Sequence, residues 1–334
     1  MHQEGASISA KDQPGALGVW SRRLGKLYSG SAVLFWPITD AAMRLFIALH
    51  FLRSGLVKAG NWDTAVLLAT EEYPVDWMTP EAAAATGLGI ELVAPVLLLL
   101  GLFTRPAAAA LAILTIVAQA VYIPTTTNLM LIAMLVWYLA AGAAAISLDA
   151  LWVSKVRKAV GTRGAAIVHM GRAVRYHVGP YLVLALRVWL GGALLALAGM
   201  FEPPIALATW LPITSFSGLP PWLAIVFAAL LITGTAASPV SYALTFVIAA
   251  FMISGAHPDV TFYPVLLLGL YEARGAGPLS VDRAVERWFK GRFGTGETTP
   301  CPDDPEVWLA TLRQWWTGGR EFAGKALRRR LNQP

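Results

Sequence analysis

The sequence is poor in charge. Asp, Glu, Lys and Arg make up 14% of its 334 residues, against about 25% in soluble domains. Apolar types (AVILMFWYC) fill 56%, above the usual ~45–50%. A soluble fold of this size could not clothe its surface with so few charges, and a disordered chain would be far less apolar. The 30 glycines and 21 prolines follow no period, which excludes the fibrous classes.

Cysteine is almost missing: Cys301 stands alone. Without a CxxC there is no internal dithiol–disulfide cycle. Without a CxxCH there is no c-type haem. Of the 5 histidines, His50 falls inside an apolar run and His257 in a short connection, whereas a bis-histidine haem needs two within the membrane. No phosphate-binding glycine motif follows a strand pattern. An ATPase, a nicotinamide enzyme and an autonomous haem or dithiol oxidoreductase are excluded on these grounds. No metal site and no covalently bound cofactor is assigned. Residues 1–30 lack a compact apolar segment followed by a cleavage site, so no secretory signal peptide is expected.

What is present is long apolar runs, and the mean hydropathy is +0.58. A helix needs about 20 mostly apolar residues to cross a bilayer. Such runs lie near 40–60, 83–103, 107–123, 128–147, 180–200, 220–236, 239–256 and 261–279. They are continuous rather than alternating, which argues against a β-barrel. The expected fold is an all-α membrane protein with eight transmembrane helices.

Lys and Arg alternate between the connections. The segment before the first run carries Lys11, Arg22, Arg23 and Lys26, the connection 148–179 carries six, and the tail after 280 carries ten. Connections 61–82, 124–127, 201–219 and 257–260 carry none. The positive-inside rule then places both termini in the cytoplasm of a bacterial-type inner membrane. The net charge of +6 reads as a topology and lipid-surface signal, with no nucleic-acid partner implied. Segments 18–30, 281–293, 305–317 and 320–331 are amphipathic and basic, as helices lying on an anionic leaflet are. Trp62, Trp77, Trp210 and Trp222 fall near the opposite interface, where aromatic anchors collect.

The chain also repeats itself. Shifted by 133, residues 91–149 lie on 224–282 without a gap: Gly101 meets Gly234, Pro106 meets Pro239, Tyr138 meets Tyr271, and Ser147-Leu148-Asp149 meets Ser280-Val281-Asp282. At the start the shift is 143, and Arg44 meets Arg187. This predicts two parallel four-helix bundles. The organisation is an interfacial segment 1–39, a first bundle 40–150, a basic linker 151–179, a second bundle 180–282 and an amphipathic tail 283–334.

The two copies differ in polarity. His50, Arg53, Lys58, Glu91 and Gln119 of the first are replaced by Ala193, Ala196, Phe201, Ala224 and Met252 in the second. Ionisable groups inside a membrane are expensive and mark sites by default. Counted at 1.5 Å per residue, Arg53 and Glu91 lie within a helical turn of the same depth in the outer half of the bilayer. Glu91 should pair with Arg53 or Lys58. Two readings stay open: a buried ion pair that only fixes packing, or a pocket in which Glu91 relays protons and Arg53 and Lys58 donate to carbonyl oxygens. In the second reading His50, Gln119 and Tyr122 line the substrate, and a quinone headgroup is the candidate. Arg187 and Glu272 are expected to form a purely structural pair.

In its first half the chain resembles the DoxX family of four-helix membrane proteins. The resemblance rests on Arg44-Leu-Phe, on Phe51-Leu-Arg-Ser-Gly-Leu-Val-Lys58, and on Trp62-Asp-Thr and Glu72-Tyr-Pro-Val. The stretch from Glu91-Leu through Leu-Gly-Leu-Phe-Thr-Arg105 and the closing Ser147-Leu-Asp149 complete it. The second half carries it weakly, without the Lys, the Glu and the Thr-Arg. The resemblance implies a subunit or accessory of a membrane redox system, linked to quinone or to thiol and sulfur chemistry, with a partner redox subunit or neighbouring-operon protein. The alternative it allows is a non-catalytic protein for export or maturation of a small substrate or modified peptide.

Overall fold

The computed structural model describes residues 16–72, 74, 77–122, 124–151, 161–255, 262–275, 277–293 and 308–313. The side chains of 16–35, 122, 161–169, 172, 272–273 and 289–293 lie outside that description. Among the described residues the regular structure is all helix. In chain order it comprises α1 (Ala16–Gly60), α2 (Trp62–Glu71), α3 (Pro80–Leu100), α4 (Thr104–Val117, prolonged by a π turn Ala118–Tyr122) and α5 (Thr126–Ala141). There follow α6 (Gly161–Leu197), the short α7 (Ile205–Ala208), a 3-10 turn Ile213–Phe216, α8 (Pro221–Thr233), α9 (Ala237–Ser254), α10 (Tyr263–Arg274) and α11 (Val281–Phe293).

Four stretches are long and apolar enough to cross a membrane: Pro80–Leu100, Thr104–Val121, Ala173–Leu197 and Ala237–Ser254. Thr126–Ala141 and Pro221–Thr233 are apolar but shorter. The chain is thus a helical membrane protein.

α1 packs on α3, α3 on α4 and α4 on α5; α6 packs on α8 and α9 on α10. The two groups meet where α5 packs on α6, where α1 packs on α10 and where α5 also reaches α10. One apolar core runs through both, including Met43, Ile47, Leu98, Met134, Leu190, Leu231, Leu244 and Leu267. Gly269 serves the α1–α10 approach, since a Cβ there would stand 2.6 Å from the Thr39 methyl.

Several elements differ from the hydropathy reading. α1 and α6 run on from Ala16 and Gly161 through Pro37 and Pro180 without a break. A proline in a helix removes one hydrogen bond and clashes with the preceding turn, yet both helices continue past it. The basic linker is therefore helical from Gly161 onward. The connection 61–82 is not all loop: Asn61 caps α2 by accepting from the Thr64 amide, and α2 lays Ala65 and Ala69 against Ala84 of α3. α5 and α10 stop earlier than the apolar runs, at Gly142 (φ 70, ψ −175) and Gly275 (φ 70, ψ −172). Of the amphipathic segments, α11 exposes Val281, Val285 and Trp288 on one face; the side chains of 18–30 and most of 305–317 and 320–331 lie outside the described residues.

Two tight corners share one geometry. Between α3 and α4, Gly101 (φ 64) and Phe103 (φ 48) are left-handed; between α8 and α9, Gly234 (φ 64) and Ala236 (φ 51) are left-handed. In the first, the Phe103 and Thr104 amides donate to Asp149 Oδ1 and Oδ2 at 2.9 and 3.0 Å. In the second, the Ala236 and Ala237 amides donate to Asp282 Oδ1 and Oδ2 at 2.7 Å each. A carboxylate on the first amides of a helix satisfies orphan donors and complements the helix dipole. The bonds hold a left-handed non-glycine residue, which costs energy by itself.

Candidate functional site

The Lys–Glu contact begins with a glycine. Gly55 lets α1 approach α3 closely: a Cβ there would stand 2.9 Å from Leu92 Cδ2 and 3.2 Å from Glu91 Cβ. One turn on, Lys58 lies on the same face, and side chains of a helix lean toward its N-terminus. Its ammonium reaches back along α1 and donates to Glu91 Oε1 at 2.6 Å. Glu91 lies eleven residues after Pro80 and nine before Leu100, close to the middle of α3. Its side chain is 6% exposed and that of Lys58 20%. Glu91 Oε2 is buried and meets no donor among the described residues. The site therefore offers a carboxylate oxygen that can accept a hydrogen bond or a proton, next to an ammonium with three donors.

Arg53 is not the partner of Glu91. It is exposed on α1, and the carboxylate of Glu91 takes the Lys58 ammonium instead. The phenol of Tyr263 and Nδ1 of His50 share a hydrogen bond at 3.1 Å. Equal depth did place Arg53 near the level of Glu91, but residues 53 and 58 project in different directions around α1, and only Lys58 shares the α3 face with Gly55.

Gln119 is hydrogen-bonded within the protein. Its amide nitrogen donates to the Thr209 carbonyl at 3.0 Å, and its carbonyl accepts from the Thr125 amide at 3.0 Å. Both ends of the side chain are thus tied to backbone, one of them beyond α7, so the residue braces the two helix groups. The Tyr122 side chain lies outside the described residues, as does that of Glu272. Arg187 is buried and donates from Nη2 to the Pro278 and Leu279 carbonyls at 3.0 and 2.8 Å.

A second buried ion pair lies midway along α1, against the C-terminal end of α3, and was missed from the sequence. Arg44 Nε donates to Asp40 Oδ2 at 3.0 Å, with both side chains at 3% exposure or less. Arg44 also donates to the Leu99 carbonyl at 2.9 Å and to that of Ile146. Asp40 Oδ2 takes the Ala144 amide at 3.1 Å, and the Tyr138 hydroxyl donates to the Asp40 carbonyl at 2.9 Å. The signal was available: an acid four residues before a base on one helix face is a favourable pair, and both sit in an apolar run.

The same end of the molecule collects three further arginines. Arg105 donates to the Ala140 and Gly171 carbonyls at 3.0 and 2.6 Å, and Arg175 to those of Ala141 and Ala143 at 2.6 and 3.1 Å. These cations close the C-terminus of α5, where the helix dipole is negative. The Arg274 guanidinium lies 4.8 and 5.2 Å from the ring centres of Trp36 and Trp137, a cation–π arrangement. A separate apolar groove of about 580 Å³ lies between α3 and α4, lined by Thr86, Gly89, Val93, Leu97, Phe103 and Pro106 among others.

Residues 39–123 match the family model described as DoxX. That segment contains both ion pairs, His50 and Arg53. No curated protein and no solved structure matches the chain.

Proposed function

We propose that the chain, whose residues 39–123 match the DoxX family model, is a DoxX-like accessory or subunit of a membrane redox system linked to quinone or thiol–sulfur chemistry. The observation that carries this reading is the Lys58–Glu91 pair with its vacant acceptor, Glu91 Oε2, in the middle of a helix long enough to span. A quinone headgroup needs a donor to one carbonyl oxygen and a proton route at the other. Lys58 supplies the first kind of group and Glu91 the second. Burial strengthens both interactions by lowering the local dielectric.

Export of a small substrate or peptide would call for a polar track from Glu91 to the far end of α1. Along that path the buried side chains are Phe51, Ile47 and Met43 on α1 and Ala94 and Leu98 on α3, which supports the redox reading over the transport one. The test is direct. The full chain purified from a quinone-containing membrane should carry extractable quinone, and Glu91→Gln should carry several-fold less. A wild-type preparation free of quinone, or one equal to Glu91→Gln, sinks the quinone assignment.

We also propose that the chain is a tandem duplication with eight crossings and both termini in the cytoplasm. The paired corners at Asp149 and Asp282, and the paired arginines Arg44 and Arg187 on helix-end carbonyls, support it. So does the way the two groups meet, first helix of one against last helix of the other, on both sides. In a Cys301→Ser background, Tyr176→Cys should be shielded from an impermeant thiol reagent added to intact cells, and Thr70→Cys should react. The opposite pattern would overturn the orientation.

A further inference from the structure

Two arginines meet at the edge of the membrane. Arg105 is the second residue of the spanning stretch Thr104–Val121, and Arg175 is the third of Ala173–Leu197. The first stretch has 18 residues, about 27 Å at the helical rise, against a hydrocarbon core of about 30 Å. Its first turn therefore stands at the boundary of the hydrocarbon, where headgroups begin. Arg105 donates to the Gly171 carbonyl, one turn of α6 before Arg175, so the two arginines share that level.

Two glycines let the guanidinium groups come together. A Cβ on Gly142 would stand 3.5 Å from Arg105 Nε and 3.6 Å from Arg175 Nη2. A Cβ on Gly171 would stand 3.2 Å from Arg105 Nη1. The carbonyls of Ala140 and Gly171 hold Arg105, and those of Ala141 and Ala143 hold Arg175. These bonds fix position without cancelling charge. A helix C-terminus is worth about half a negative charge, and two full positive charges face it. Asp149, the acid that follows α5, is engaged by the Phe103 and Thr104 amides and the Thr104 hydroxyl. From 150 to 201 the sequence has no Asp or Glu, so the chain around Arg175 adds only cations. Toward the bilayer the surface turns apolar: Leu139, three residues before Gly142, and Val178, three after Arg175, are both exposed.

We propose that Arg105 and Arg175 bind the phosphate of an anionic phospholipid across Gly142. Guanidinium forks match phosphate oxygens, and basic pockets between helices at this level take lipid headgroups. Exposed Leu139 and Val178 favour a phosphate that arrives with acyl chains over a free phosphate ion. The site is distinct from the Lys58–Glu91 pair in the middle of α3, and it stands whether or not that pair binds quinone.

The test is native mass spectrometry of the full chain in detergent with added phosphatidylglycerol, diacylglycerol of the same acyl chains, or inorganic phosphate. Wild type should retain phosphatidylglycerol about tenfold more tightly than diacylglycerol, the worth of a charge-assisted hydrogen bond. Arg105→Gln and Arg175→Gln should each lose most of that preference. Arg283→Gln, which removes an exposed arginine of α11, should keep it. A phosphatidylglycerol with a photoreactive headgroup should crosslink wild type within 139–145 or 171–178, which locates the lipid even where a variant fails to fold. Equal retention of the two lipids by wild type overturns the site. So does undiminished preference in folded Arg105→Gln and Arg175→Gln, or crosslinking confined to other segments. Displacement of the lipid by millimolar inorganic phosphate makes the site one for a free anion and overturns the lipid assignment.

Discussion

Glu91→Ala should strip most of the folded protein from the membrane fraction. It removes the carboxylate that the Lys58 ammonium holds, and breaking a buried pair in this way costs about 3–5 kcal/mol. Glu91→Gln should cost less, about 1–3 kcal/mol, because the amide keeps the volume and one acceptor for the ammonium. The informative variant is the double one, Lys58→Met with Glu91→Leu. Apolar replacement of both partners of a buried pair is often neutral or stabilising, so this protein should melt near wild type in detergent. If it does so and also complements a deletion, the pair is only a packing device and the proposed site is lost. If it folds but does not complement, the pair has a role beyond stability. A Glu91→Ala protein that melts as wild type would show that the carboxylate is not paired at all.

Arg44→Ala should be as severe, and at a position with no part in the proposed chemistry. One guanidinium there serves Asp40 and the carbonyls of Leu99 and Ile146. It thereby fastens α1 to the end of α3 and to the segment after α5. Its loss leaves Asp40, at 0% exposure, without its cation, again about 3–5 kcal/mol. Arg187→Ala should follow it in kind, since Arg187 holds the Pro278 and Leu279 carbonyls. Both variants should lower the melting temperature and the yield of monodisperse protein together, and an Arg44→Lys variant should recover little because a point charge cannot span three acceptors. An Arg44→Ala protein with wild-type melting and yield would refute this account of the α1–α3 clasp.

Composition and hydropathy were enough to identify a helical membrane protein, because a bilayer demands long apolar runs and tolerates few charges. The match of residues 39–123 to the DoxX family model was likewise legible in the residues. The spacing of polar groups was informative about depth, since helical rise converts residue number into height along a helix. It said much less about direction. Whether Arg53 or Lys58 would meet Glu91 depended on which face α1 turns toward α3, and Gly55 decides that by permitting the closest approach. Gln119 looked like a ligand in the sequence because a buried amide must be satisfied; only the fold supplied the Thr209 and Thr125 backbone groups that satisfy it. Asp40 and Arg44 could have been paired from their spacing, but their claim on Leu99, Ala144 and Ile146 joins residues 55 to 104 positions apart. The meeting of His50 with Tyr263, 213 positions apart, is of the same kind. Contacts along one helix follow from its period, whereas contacts between helices follow from packing, which no single segment of the sequence contains.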